Sequence, residues 1–235
     1  RRTGALAARG EAIVFVDDDN VLAPDYLLQA RAILDAHPDV GAGGGKSFGE
    51  FATPPACWHE EFFGLLAIRD LGPAPLLSPV RTVDLARDPY PRCAPIGAGM
   101  ALRASAAAVW LNESAPYALP DRQGDALSSG GDNDIILTVL RSGWRVGYFP
   151  ELTLTHLIPA NRLESAYLAR LNRAIQRSWM LVQYKHGINS WPHLTRATVP
   201  LRVAKSWIRH RAWSGPANRV RWFGARGHFE GRVKH

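Results

Sequence analysis

Three consecutive carboxylates, Asp17, Asp18 and Asp19, stand directly behind the apolar run "AIVFV" (12–16). Neighbouring like charges disfavour one another's ionisation, so a partly desolvated group of three acids calls for a positive partner. Side chains alternate along an extended chain, which sends Asp17 and Asp19 to one side and Asp18 to the other. Asp17 and Asp19 can then reach one hard cation through oxygen ligands, while Asp18 stays free for a substrate hydroxyl. Mg2+ or Mn2+ suits carboxylates that share the ion with substrate phosphates. The plain alternative is a solvated turn whose acids face water.

In "SSGGDNDIILTVL" Asp132 and Asp134 open a helix behind two glycines. Aspartate is a favoured helix cap and complements the helix dipole. A carboxylate held at such an entrance can equally serve as a general base, and the local sequence does not separate the two roles. His156 closes a strand-like segment, and Arg162 follows six residues later. By itself each reads as a packed or surface residue. Beside a metal–diphosphate centre, His156 becomes a third ligand and Arg162 a phosphate contact.

One motif misleads. "GAGGGKS" (41–47) looks like a phosphate loop of the form GxxxxGK[ST], but the first glycine of that pattern would be residue 40, which is Val40. The segment also runs into "FGEFATPP" rather than a helix. Its glycines read instead as openings for a substrate to approach a strand, with Lys46 facing solvent.

The elements that carry these residues alternate between strand and helix. "AIVFV" has the length and apolar continuity of a strand covered on both faces. "PDYLLQARAILDAH" is a helix with Tyr26, Leu27, Ala30, Ile33 and Leu34 as its stripe, stopped by Pro38. "VGAGGGKSFGEF" (40–51) and "IGAGMALR" (96–103) read as strands, and a helix follows around 104–111. Residues 52–95 are Pro-rich, with one short helix at "CWHEEFFGLLAIRD". A polar loop (119–131) leads to a helix over 132–143 with Gly143 as its stop, and then to a strand over 144–159. A long amphipathic helix spans 162–187, with Leu163, Tyr167, Leu171, Ile175 and Trp179 on one side. This alternation predicts an α/β domain around a largely parallel sheet.

Composition excludes several classes. With 46% hydrophobic and 21% charged residues among 235, the chain is neither disordered nor fibrous. No apolar run approaches the ~20 residues that span a bilayer. Cys57 and Cys93 make no disulfide framework and read as buried thiols in a reducing compartment. The net charge of +7 is uneven: residues 196–235 hold ten Lys/Arg and one acid, Glu230, together with Trp207, Trp213 and Trp222. Arg202, Lys205, Arg209 and Arg211 recur there at near-helical spacing. Such asymmetry predicts an anionic partner at one end of the molecule. Gly215, Pro216, Gly224, Gly227 and Gly231 are expected to interrupt any long helix in this tail, which either meets an anionic membrane or packs back on the domain.

In order, "GEAIVFVDDDNVLAPDYL", "GAGMALR" and "GGDNDIILTVLRSGWRVGYFPELTLTHLIPANRL" resemble the successive motifs of family 2 glycosyltransferases, over about residues 1–187. The resemblance implies a GT-A fold: a single α/β domain over 1–195, its mostly parallel central sheet flanked by helices, with the basic extension 196–235 behind it. It implies an enzyme that transfers a sugar from a nucleotide diphosphate-sugar to an acceptor hydroxyl with inversion, in bacterial polysaccharide or glycolipid synthesis. On that reading Asp17 and Asp19 hold Mn2+ or Mg2+ with His156 near the metal. Asp132 is the base, with Asp134 as the alternative. Asp18, Gly97, Gly99, Met100 and Arg162 lie against substrate.

Two departures stand out. The family's usual Glu before the base is Gly131 here, and its first strand and nucleotide-base pocket would precede Arg1. The chain is therefore expected to be an N-terminally truncated domain that binds donor poorly. The acceptor would be a carbohydrate or a lipid-linked sugar, chosen by residues 52–95 and 112–131. The location implied is cytoplasmic, at the inner face of the membrane. Rival readings are a metal-dependent phosphotransferase built on the same aspartates, and a basic, tryptophan-bearing module for membrane or nucleic acid.

Overall fold

The computed structural model describes residues 1–79, 90–113, 130–188 and 190–233. The chain is α/β, and its internal contacts divide it into two compact units. Unit 1 combines Arg1–Glu50, the described part of Ala67–Leu119, and Gly131–Leu157; unit 2 combines Phe51–Leu66, Gly130 and the chain from Ile158 onward. The expected polar loop over 119–131 lies outside the described residues except for its last two positions. So do residues 80–89 and 114–129 of the segments expected to choose an acceptor.

Unit 1 carries α1 (Arg2–Ala7), β1 (Ala12–Val14), β2 (Asn20–Leu22), α2 (Tyr26–Ala36), β3 (Val40–Phe51), β4 (Leu76–Leu77), β5 (Ala101–Arg103), α3 (Ala104–Glu113), α4 (Gly131–Arg141) and β6 (Arg145–Ile158). The strands are ordered β1-β5-β3-β6-β2, with β4 also on β6. Pairings β1–β5, β3–β5, β2–β6 and β4–β6 are antiparallel. Between β3 and β6 the chains advance together: Arg145 N–H donates to the Asp39 carbonyl (2.9 Å), Gly43 faces Phe149 and Gly45 faces Leu152, which is parallel pairing.

The sheet is thus mixed, and a mostly parallel one is not what forms. β5 enters between β1 and β3 against the direction of both, and antiparallel neighbours need no crossover helix. β1 is also shorter than the apolar run suggested. It pairs with β5 alone among the described strands, and Val16 is exposed.

The core of unit 1 lies on both faces of the sheet. One cluster gathers Met100, Leu102, Ile135, Ile136, Val139 and Tyr148 with their neighbours, and another gathers Tyr26, Ala30, Leu34, Phe149 and Leu152. The α2 stripe keeps Tyr26, Ala30 and Leu34 but leaves Leu27 exposed. The glycines of β3 do not wait for a substrate. At Gly43 the Phe149 ring lies 3.1 Å from where a Cβ would stand, and at Gly45 the Leu152 side chain lies at 2.8 Å. Lys46 is not free in solvent either, since its Nζ meets Asp70 at 3.3 Å. Cys93 is buried as expected, whereas Cys57 is exposed.

Unit 2 is helical. Its 3-10 turns at Cys57–Leu66, Ala160–Leu163 and Arg196–Thr198 accompany α5 (Ser165–Lys185), α6 (Val199–Arg209) and α7 (Pro216–Gly231). The buried face of α5 includes Leu168, Leu171, Asn172 and Met180, so the stripe sits about one residue off the predicted one, and Tyr167 and Ile175 are only partly covered. The glycines of the tail do not break α7. Val220, Gly224, Gly227 and Gly231 form its buried stripe and let its backbone approach α5 closely. A Cβ at Gly231 would stand 2.6 Å from the Arg177 carbonyl oxygen, and one at Gly227 would overlap that of Arg173. Glu230 is spent in the same contact, accepting from Arg173 (2.7 and 2.9 Å) and Arg226 (2.8 Å).

This packing generates a stability prediction. Gly227→Ala should cost about 1–3 kcal/mol, the usual cost of overpacking, because backbone rather than a movable side chain stands in the way. Gly64→Ala, with nothing within 4 Å, should stay within about 0.5 kcal/mol. Urea unfolding of the two variants checks the difference.

Candidate functional site

The three aspartates do not continue the strand. Phe15 is still tied to the sheet, donating to the Met100 carbonyl and accepting from Gly99 N–H, both at 2.9 Å. The chain then turns. Asn20 N–H donates to the Asp17 carbonyl (3.1 Å), and Asp17 N–H donates to Asn20 Oδ1 (3.3 Å). Strand alternation therefore does not govern where the carboxylates point; this turn does. Asp17 and Asp18 are exposed and Asp19 is half-buried.

Leaving the turn, β2 pairs with β6 so that Asn20 stands opposite His156. Leu157 N–H donates to the Asp19 carbonyl (2.8 Å). This register brings Asp19 Oδ2 to 3.3 Å from Nε2 of buried His156. Asn20 Nδ2 donates to the other carboxylate oxygen of Asp19 (3.2 Å).

The positive partner of Asp17 is Arg1, whose Nη2 lies 3.8 Å from Asp17 Oδ2. The same guanidinium rests on Gly97, where a Cβ would stand 2.6 Å from it. Gly97 N–H donates to Asp132 Oδ2 (3.1 Å), and Asn133 N–H donates to Asp132 Oδ1 (2.9 Å). Gly130, at φ +126°, turns the chain into α4. Asp132 and Asp134 then both fall in the first helical turn, where the dipole favours negative charge. Their surroundings differ. Asp132 is partly exposed, whereas Asp134 is 3% exposed and faces the core. Tyr90 donates to Asn133 Oδ1 (3.0 Å). Burial, and then the negative charge of Asp132, push its hydroxyl well above the usual phenol pKa.

Unit 1 thus brings together Asp17, Asp19, His156, Gly97 and Asp132. Other expected contacts go elsewhere. Met100 is fully buried in the core and is not a substrate contact. Gly99, at φ +73°, is a packing position: Tyr26 donates to its carbonyl, and a Cβ there would stand 2.7 Å from the Tyr26 oxygen. Burial raises the pKa of the Tyr26 hydroxyl, which keeps it a donor. Arg162 belongs to unit 2, in the Ala160–Leu163 turn. Asp18 is solvent-facing.

Among the described residues no group of three or more His, Cys, Asp and Glu is arranged to hold a metal by itself. Asp19 and His156 supply two donors, with Asp17 held by Arg1. Such a set fits an ion that takes its remaining oxygens from substrate phosphates, as Mg2+ commonly does. Sequence reasoning missed Arg1, Asn20 and Tyr90. Asn20 had a signal, being a turn-forming residue behind the acids; the other two gain meaning only from distant contacts.

The contrast between the two α4 carboxylates is testable. Asp134→Ala should cost about 1–3 kcal/mol, as removing a buried polar partner does. Asp132→Asn keeps its shape but has one acceptor oxygen for two backbone N–H groups, and should cost less, about 0.5–1 kcal/mol. Urea unfolding reads both. No protein-family model matches this chain and no curated protein matches it, so its function has to be read from these residues.

Proposed function

We propose that unit 1 transfers a sugar from a nucleotide diphosphate-sugar to an acceptor hydroxyl, with Mn2+ or Mg2+, as part of a GT-A glycosyltransferase domain. The observation that carries the reading is the Asp19–His156 contact where the turn behind β1 enters β2 against β6, in the same unit as a partly exposed Asp132 tied to Gly97. Ligands of open α/β sheets bind beyond the carboxyl ends of strands, which is where the acids lie. The parallel pair β3–β6 and the resemblance of the three motifs support the finer architecture.

Asp19 and His156, with Asp17, would hold the cation, which when bound neutralises charge on the departing diphosphate. Asp132 takes the proton of the acceptor hydroxyl as that oxygen bonds to the anomeric carbon. The bond from that carbon to the diphosphate oxygen breaks, and the diphosphate leaves with the electron pair. The two backbone N–H groups on Asp132 fix the orientation of its carboxylate and leave lone pairs on both oxygens. Arg1 supplies a second positive charge beside Asp17.

Calorimetry with a panel of nucleotide diphosphate-hexoses tests the reading. Heat of binding should appear only with Mn2+ present and vanish in Asp19→Ala. Asp132→Asn should still bind while sugar release or transfer falls by ~10²–10⁴-fold. Metal-independent binding would overturn the reading, and metal-dependent phosphate release that ignores the sugar would replace it with the phosphotransferase one.

A further inference from the structure

In α6 the burial pattern is reversed. A surface helix of a globular protein turns its large apolar side chains to the core. Here the one buried residue is Ser206. Leu201 is 61% exposed, Ile208 63% and Trp207 41%. Leu201, Ala204 and Ile208 share one face by their i, i+3, i+7 spacing, with Trp207 beside it. Arg202, Lys205 and Arg209 share the next face by the same spacing, and all three are exposed. The helix thus carries side by side an uncovered apolar strip and a basic strip.

The chain just beyond extends this surface. Arg211 takes φ +49°, a conformation uncommon for any residue but glycine. The turn folds Trp213, 58% exposed, back onto Trp207, with ring centroids 4.6 Å apart. Next to them a cavity of about 470 Å³ is walled by Trp207, Trp213, Trp222, Pro216 and Arg219. Trp222 is anchored by its indole N–H to the Val203 carbonyl (3.1 Å). From Ser165 to Phe229 the sequence holds twelve Lys/Arg and no acid. An anionic partner therefore meets no acidic side chain from these 65 residues.

We infer that α6 and the Trp207–Trp213 turn form a docking face for an anionic lipid bilayer, lying in the plane of its interface. Indoles favour the headgroup level, where an apolar body meets a polar edge. Basic residues alongside are attracted to anionic lipid, and the apolar strip enters the acyl boundary. No helix among the described residues is long and apolar enough to cross a membrane, and this face needs none. The inference rests on unit 2 alone and stands apart from the chemistry proposed for unit 1.

Vesicle co-sedimentation of the whole chain tests it. Removing the tail would not, since α7 covers α5 and its loss would expose that helix. The chain should pellet with vesicles of phosphatidylglycerol and phosphatidylcholine, stay in solution with phosphatidylcholine alone, and release as salt rises. Leu201→Ser with Ile208→Ser, at positions already exposed, should keep the circular dichroism spectrum and weaken partitioning at least about tenfold. Lys205→Gln and Arg209→Gln should each weaken it about fivefold. Lipids brominated in the acyl chain should quench tryptophan emission of the unmodified chain. Equal pelleting with neutral vesicles, or absent quenching, overturns the assignment. So does a serine variant that binds undiminished, since a surface working through charge alone is a general polyanion site of the kind nucleic acid uses.

Discussion

β6 serves three neighbouring strands at once, with β3 on one side and β4 and β2 on separate stretches of its length. Along the parallel β3–β6 pair the Phe149 ring occupies the room a side chain at Gly43 would need, and the Leu152 and Phe149 carbonyl oxygens that at Gly45. With one edge of β6 seated this closely on β3, its other edge is left to β4 and β2. The stretch taken by β2 sets Asn20 opposite His156. A slip of one residue would turn every side chain of β2 to the other face, and Asp19 would leave His156. The polar contact at the candidate site is thus fixed by the register of β2 on β6.

The carboxylates are settled unequally, and the inequality bears on chemistry. Two unit charges 4 Å apart near a protein surface interact by about 4 kcal/mol, so each acid needs a neighbour. Asp19 has a sheltered one in His156, fixed by sheet register. Asp132 has two backbone N–H groups at the start of α4. Asp17 has Arg1, in a pair whose carboxylate side is half exposed. Exposed ion pairs are worth about 0–1 kcal/mol. That bond can be exchanged for another cation at little cost, whereas the Asp19–His156 contact cannot move without the strands. A site with one rigid and one exchangeable carboxylate suits an ion that arrives with its substrate.

Much of the element order was legible in the sequence. α2, β3, α4, β6 and α5 fall where apolar periodicity, glycine stops and proline put them, because each is long enough for its pattern to outweigh its ends. What was lost depends on partners far along the chain. The direction of the sheet follows from β5 entering between β1 and β3, and nothing within "GAGMALR" encodes its neighbours. The strand before the aspartates is shorter than its sequence suggests because "AIVFV" is apolar throughout, and the turn that ends it is closed by Asn20. At the candidate site the residues with distinctive chemistry, Asp17, Asp19, Asp132 and His156, were named in advance. Arg1 and Tyr90 were not, since an arginine and a tyrosine carry no local mark of the carboxylate or amide they will meet. Met100 and Gly99 were misread for the opposite reason: they sit in a motif, but their work is packing.

The two tail helices invert what their sequences suggest. α7 holds three glycines in a row of helical spacing, a composition that disfavours helix by roughly 1 kcal/mol per residue relative to alanine. It is a helix nonetheless, because those glycines allow contact with α5 that no side chain would permit. Packing outweighs propensity there. α6 has the stronger intrinsic pattern, yet its buried side is a serine with parts of two valines, and its leucine, isoleucine and tryptophan face outward. If the tail existed only to cover α5, α7 would suffice, and selection against exposed apolar surface would favour polar residues on α6. The same forty residues therefore hold one helix explained by what it touches in this chain and one whose large apolar side chains face outward. That asymmetry, rather than the net charge, is what distinguishes a docking surface from a merely basic tail.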